Sequence, residues 1–359
     1  MKKKLFLGLL AAAAVTFTAC QKDEVISEVI QDEAISFSTY LGRDAQTKGT
    51  IVETTQLQDQ GFGVYAYYTG TTAASSYNFP NPNFMNNEKV YMGDWDSDNS
   101  TEKTWGYSNT KYWPYSASDK ISFYAYGPYD NPSGASNAIS ITTTSSKKPE
   151  LTYTVSTDIS EHMDVLFAPA QEDKTKETGT VSFTFQHALS RIQFSIKTLE
   201  DYSGKATLTL NSVTLTGPFH KTAKFSLGTS PLTWTGHQEQ INNFTIDEST
   251  KDDDHQKITI TERIVEATNG SPEYIMIIPQ EDISVNALQI TVNYTVSYTE
   301  GATITNEITK NINPSSEFEF LAGKAYKFAI SVGLNEVKFN ATVTAWDESH
   351  GGFSTPVEI

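Results

Sequence analysis

The chain has a single cysteine, Cys20, in 359 residues, so it can form no internal disulfide. It is poor in positive charge: 26 Lys and Arg stand against 43 Asp and Glu, a formal balance of −17. Such a surface repels phosphate backbones and anionic headgroups, which disfavours nucleic acid as a partner. Six histidines (His162, His187, His220, His237, His255, His350) are scattered. None forms an HExxH motif or a close pair on one strand face, so a zinc site has no local support and no cofactor is implied. There is no GxSxG elbow, and no carboxylate pair stands out for glycoside hydrolysis. These absences point away from an enzyme. No long helical period occurs outside the first twenty residues, and Thr, Ser, Tyr, Phe and Asn are plentiful. That is the profile of an extracellular β protein.

What is present begins with a leader. Lys2, Lys3 and Lys4 form a basic start, and residues 5–19 are an apolar run shorter than the roughly twenty needed to span a bilayer. Phe17-Thr18-Ala19-Cys20 closes it with small residues before the cysteine, where a lipoprotein signal peptidase would cut. The alternative is an ordinary signal peptide beside an incidental cysteine. A lone cysteine at the signal junction has an evident use, thioether attachment of diacylglycerol. Residues 1–19 are therefore expected to leave, and Cys20 to become a lipidated first residue. The acidic stretch 24–33 reads as a tether.

Along the mature chain, short alternating segments recur: 34–40 (AISFSTY), 61–68 (GFGVYAYY), 89–92, 104–107, 111–113, 120–126 (KISFYAY), 151–155 and 164–168 (DVLFA). Residues 41–50 (LGRDAQTKGT) form a polar loop carrying Arg43 and Lys48. Residues 169–179 (PAQEDKTKETG) hold five charges and no large apolar side chain, the pattern of a linker. The second half continues with 181–197, 206–215, 222–227, 258–260, 274–278, 287–298, 303–312, 325–332 and 337–346. Short strands with frequent turn residues predict an all-β fold of antiparallel sandwiches, and the length favours two domains. Rings at Tyr65, Tyr67, Tyr68, Trp105, Tyr107, Tyr112, Trp113, Phe123, Tyr124 and Tyr126 crowd the first half. Most should fill a core, although exposed rings would suit a glycan. His187, between Phe185 and Leu189, reads as a hydrogen-bonded structural histidine. The loop 94–102 repeats acids at alternate positions, yet Asn99 and Trp105 stand where a calcium loop needs Gly and Glu, so a solvated acidic loop is the default.

In order, Phe17–Cys20 with the acids after it, AISFSTYLGRDAQTKGT, GFGVYAYY, YWP, ISFYAYGP, DVLFA, VSFTFQHALSRIQFSIK, IMIIPQ, LAGKAYKFAISVGL and VKFNATVTAW resemble the fimbrillins. These are the lipoprotein-derived (type V) pilins and accessory subunits of Bacteroidetes surface fimbriae. Gln21-Lys22-Asp23-Glu24 also resembles the signal that sends such lipoproteins to the outer face of the outer membrane. The resemblance implies two tandem transthyretin-like antiparallel β-sandwich domains, here 44–177 (completed by strand 34–40 before processing) and 178–359. Residues 20–43 would then be a lipidated propeptide that includes the first strand. Maturation by a trypsin-like or arginine-specific protease would fall at Arg43, with Lys48 competing. Subunits would polymerise by exchanging a donor strand. Residues 337–346 suit that role, with Val337, Phe339, Ala341, Val343 and Ala345 on one face. The implied partners are other fimbrial subunits, the outer membrane through the lipid, the maturation protease and a host or bacterial surface receptor. The first rival reading is a monomeric surface glycan-binding lipoprotein, the second a surface hydrolase, and neither has a motif of its own.

Overall fold

The structure, a computed structural model, describes residues 33–41, 54–95, 103–129, 138–144, 146–247, 260, 263–264, 274–284, 287–312, 318–345 and 356–357. The fold is that of the compact unit Glu33–Ile359. In chain order the first strands are β1 (Phe37–Leu41), β2 (Phe62–Gly70), β3 (Met85–Gly93), β4 (Thr104–Gly106) and β5 (Lys120–Gly127), with helix α1 (Thr54–Gln60) before β2. Then come β6 (Ile139–Thr142), β7 (Glu150–Thr154), β8 (Leu166–Phe167), β9 (Gln171–Lys174), β10 (Val181–His187) and β11 (Ser190–Thr198). The second half adds β12 (Ala206–Ser226), β13 (Thr235–Asp247), β14 (Arg263–Ile264), β15 (Ile275–Ile277) and β16 (Gln280–Ile283). It ends with β17 (Leu288–Tyr298), β18 (Thr303–Ile312), β19 (Phe318–Phe320), β20 (Lys324–Val332), β21 (Val337–Ala345) and β22 (Pro356–Val357). The fold is all-β.

The first sheet runs β1-β10-β8-β5-β2-β3-β4, with β9 also on β5. Its central strands, β2 and β5, read as nearly continuous apolar runs because both their faces are covered. Phe62, Val64, Ala66, Ile121, Phe123 and Ala125 enter one core, while Tyr65, Tyr67, Tyr124 and Tyr126 enter the other. β10, between β1 and β8, alternates cleanly instead, with Val181, Phe183 and Phe185 inside. A second sheet, β14-β11-β20-β21-β22 with β15 on β11, and a third, β18-β17-β12-β7-β6 with β13 on β12, share the larger core. Phe194, Ile196, Phe328 and Ile330 meet Leu208, Val213, Leu215 and Val292 there.

Strands cross the expected boundary at 177/178 in both directions. β10 lies after it yet belongs to the first sheet, and β6 and β7 lie before it yet belong to the third. Residues 169–179 are not a free linker. β9 pairs with β5, Glu172 accepts from the Tyr124 hydroxyl (2.6 Å) and pairs with Lys148 (2.7 Å), and Asp173 accepts from the Ala74 backbone N–H. Glu172, Asp173 and Lys176 are engaged, the last by donating to the Tyr115 carbonyl (3.0 Å), which a count of charged residues does not reveal. Residues 206–215 and 222–227 join as one strand, β12, bulged between Thr216 and Phe219, where Gly217 and Pro218 interrupt the ladder. Of 111–113, only an isolated bridge from Tyr112 to Ala34 remains.

Candidate assembly site

β1 closes one edge of the first sheet. It pairs in parallel with β10, from Phe37 opposite Val181 to Leu41 opposite Phe185. Among the described residues, β10 is its only strand partner in the sheet order. Two hydroxyl pairs flank the ladder, Ser36 with Thr180 (2.8 Å) and Ser38 with Ser182 (2.6 Å). Upstream, the Ile35 N–H donates to the Lys111 carbonyl (2.8 Å), and the Trp113 N–H donates to the Glu33 carbonyl (3.0 Å).

The alternation of 34–41 decides what points where. Ile35, Phe37 and Leu41 are buried, whereas Tyr40 is 56% exposed. Phe37 stacks on Phe183 (6.1 Å between centroids) and meets Phe62, Tyr107 and Phe123 edge-on. Tyr107 donates its hydroxyl to the Ile35 carbonyl (2.9 Å), and burial pushes that phenol up to about 12. Without β1, this ring cluster would face an open slot beside the unpaired edge of β10.

The alternating strand near the other end is β21. It pairs with β20 along its whole length, from Lys324 opposite Ala345 to Val332 opposite Val337, and with β22 only at Ala341 and Thr342. Val337 and Ala341 are buried, and Phe339 and Val343 pack against the larger core. In the free subunit this strand therefore lies in its own chain's sheet. Cys20, Arg43, Lys48, the side chain of Ala345, Asp96, Asp98, His255 and His350 lie outside the described residues.

The remaining candidates are structural. The His187 Nδ1–H donates to Asp164 (2.8 Å), and both side chains are buried. His162 donates from Nε2 to the Ser156 carbonyl (2.9 Å), and its Nδ1 accepts from the Met276 N–H (3.0 Å). Burial pushes its imidazole below the ordinary range. The rings of His220 and His237 stack at 4.0 Å across β12 and β13, a proximity hidden from the sequence by sixteen intervening positions. Of the crowded first-half rings, Tyr68 and Tyr112 are exposed and Trp105 is partly buried, while the rest are buried.

A family model described as fimbrillin-like matches residues 47–346. The chain belongs to the fimbrillin-like family. Among fimbrillin relatives, it is 32% identical over 195 residues to the fimbrium subunit Fim1C of Phocaeicola vulgatus, covering 51% of this chain. The match covers 49% of that subunit, so this fimbrillin spans about half the length of the curated relative. The crystal structure of a fimbrial protein from Bacteroides vulgatus superposes with a TM-score of 0.63 at 21% identity. That superposition covers 88% of this chain and 100% of the other, a likeness of fold.

Proposed function

We propose that this fimbrillin-like chain is a structural, non-enzymatic subunit of a cell-surface fimbria. It is exported as a lipoprotein on Cys20, trimmed at Arg43 or Lys48 and polymerised by donor-strand exchange, in the service of adhesion. The observation that carries the reading is the position of β1. Among the described residues it is an edge strand with one strand neighbour; it supplies two buried apolar side chains, Phe37 and Leu41, with Ile35 just before it as a third, and it ends two residues before Arg43. Cleavage there turns a covalent part of the sheet into a peptide that can leave. Its departure opens an edge ready to accept an extended strand.

The pattern of β21 fits that vacancy. Aligned in the same direction, Val337, Phe339, Ala341 and Val343 fall on Ile35, Phe37, Thr39 and Leu41, with a phenylalanine at the same step. Detaching β21 breaks its nine-residue ladder with β20 and its short pairing with β22, and a new ladder on a neighbour's β10, five pairs long where β1 now sits, offsets part of that cost. Because donor and acceptor differ, the contact is head-to-tail and grows into a filament rather than a closed ring.

Light trypsin treatment of the full chain should cut first at Arg43 or Lys48 and then yield polymers visible by electron microscopy. Arg43→Ala with Lys48→Ala should stay monomeric. First cuts within 169–179, or polymers from the doubly substituted chain, would contradict the reading.

A further inference from the structure

Beyond assembly, a cavity of about 490 Å³ opens at one end of the second half, within the size range of small-ligand sites. Asp201, Ser203, Thr207 and Thr299 line it with oxygen atoms, Tyr202 adds an aromatic ring, and Leu208 lies among its walls. None of its described lining residues is basic. The turn that forms its rim is fixed: Asp201 accepts from both the backbone N–H and the hydroxyl of Ser203, and Lys205 N–H donates to the Tyr202 carbonyl. Those bonds hold the Asp201 carboxyl below its usual range, so it remains an acceptor at neutral pH. Gly204 sits at φ +75°, with open space where a side chain would be.

The cavity borders an unusual face. Thr245, Thr214, Thr291 and Thr309 stand in one row across β13, β12, β17 and β18, with hydroxyl pairs at 2.9 Å and 2.8 Å. The rows on either side carry hydroxyls and amides, with Asp247 and Glu307 as their acids and no base. Thr207, which lines the cavity, stands on this same face opposite Ser297. The surface thus offers a flat grid of neutral donors and acceptors on a chain whose formal charge is −17. A polyanion is repelled by the molecule and meets no cation in these rows, Lys205 in the rim turn being the one base beside Asp201. An uncharged polyol is not repelled, and it can hydrogen-bond to every row.

We infer that this cavity holds one unit of a neutral saccharide, with the rest of its chain running over the threonine face. Asp201 accepts from hydroxyls of the bound unit, and the Tyr202 ring covers one of its faces. The polymerisation proposed above uses none of these residues, so either idea can fail alone.

The test is calorimetric titration of the full chain with neutral gluco-, xylo-, manno- and galacto-configured hexasaccharides and disaccharides, and with hexagalacturonate. At least one neutral hexasaccharide should bind. Asp201→Asn and Tyr202→Ala should each weaken it about tenfold or more while the circular dichroism stays that of the unsubstituted chain, and Tyr202→Phe, which keeps the ring, should retain binding. Thr291→Val with Thr309→Val should weaken the hexasaccharide and spare the disaccharide. No binding by any neutral sugar, a preference for hexagalacturonate, or binding indifferent to Asp201→Asn and Tyr202→Ala would overturn the assignment.

Discussion

His162 uses both ring nitrogens inside the protein, and the Met276 N–H aimed at Nδ1 requires the neutral ring. A proton on Nδ1 would face that donor and lose its acceptor role. Burial, the largest influence, holds the folded pKa below the ordinary 6.5. The unfolded chain therefore binds the proton more readily, and stability rises with pH across this window. The His162 contribution is fully present above about pH 6.5 and is lost as the pH falls. Urea denaturation at steps between pH 7.5 and 5 should show this slope, and His162→Gln should flatten it by up to about 1.4 kcal/mol per pH unit. An unchanged slope in the variant would show that the histidine titrates alike in both states.

At the scale of elements, β1 is held by side chains as much as by its ladder. Phe37 touches four rings, and loss of such a side chain typically costs about 3–5 kcal/mol. A subunit trimmed to begin at residue 44 should therefore rebind a synthetic peptide of residues 34–41. The Phe37→Ala peptide should bind at least about a hundredfold more weakly by fluorescence anisotropy. Equal affinity for the two peptides would mean that the backbone ladder alone seats the strand.

Most strands with one wet and one dry face could be read from sequence, since alternation in residues such as Val181–His187 or Leu288–Tyr298 survives into the fold. Several elements could not, and three show why. β13 is exposed on most of its positions and so lacks a period, and β6 is only four residues long within a Ser/Thr-rich stretch. β9 carries charges whose partners are distant in sequence: Lys148, Tyr124 and Ala74. The apolar faces of β1 and β21 were legible for the same reason as the other alternating strands. Their parallel and antiparallel partners, β10 and β20, were not, because pairing depends on residues far away along the chain. The cavity beside Asp201 was equally hidden, since Thr299 and Thr207 meet there only through the β12–β17 ladder.

For the molecule as a whole, a net negative charge is joined, in the proposed reading, to a lipid on Cys20. The charge would keep separate copies apart in solution, while the lipid would concentrate them at one surface. Cys20→Ala should abolish incorporation of labelled palmitate and release the protein from sedimenting membranes. Continued labelling of that variant would contradict lipidation at Cys20.

The central claim is that one subunit's β21 takes the place vacated by another's β1. It makes a positional demand: Phe339 of the donor must reach the seat of Phe37, against Phe183 of the acceptor. In a Cys20→Ser background, Phe183→Cys and Phe339→Cys can be introduced into separate batches, trimmed, mixed and oxidised. The account predicts a disulfide-linked dimer on non-reducing electrophoresis that appears only after trimming and only in the mixture. Absence of that dimer in mixtures that still form filaments would contradict donation from β21.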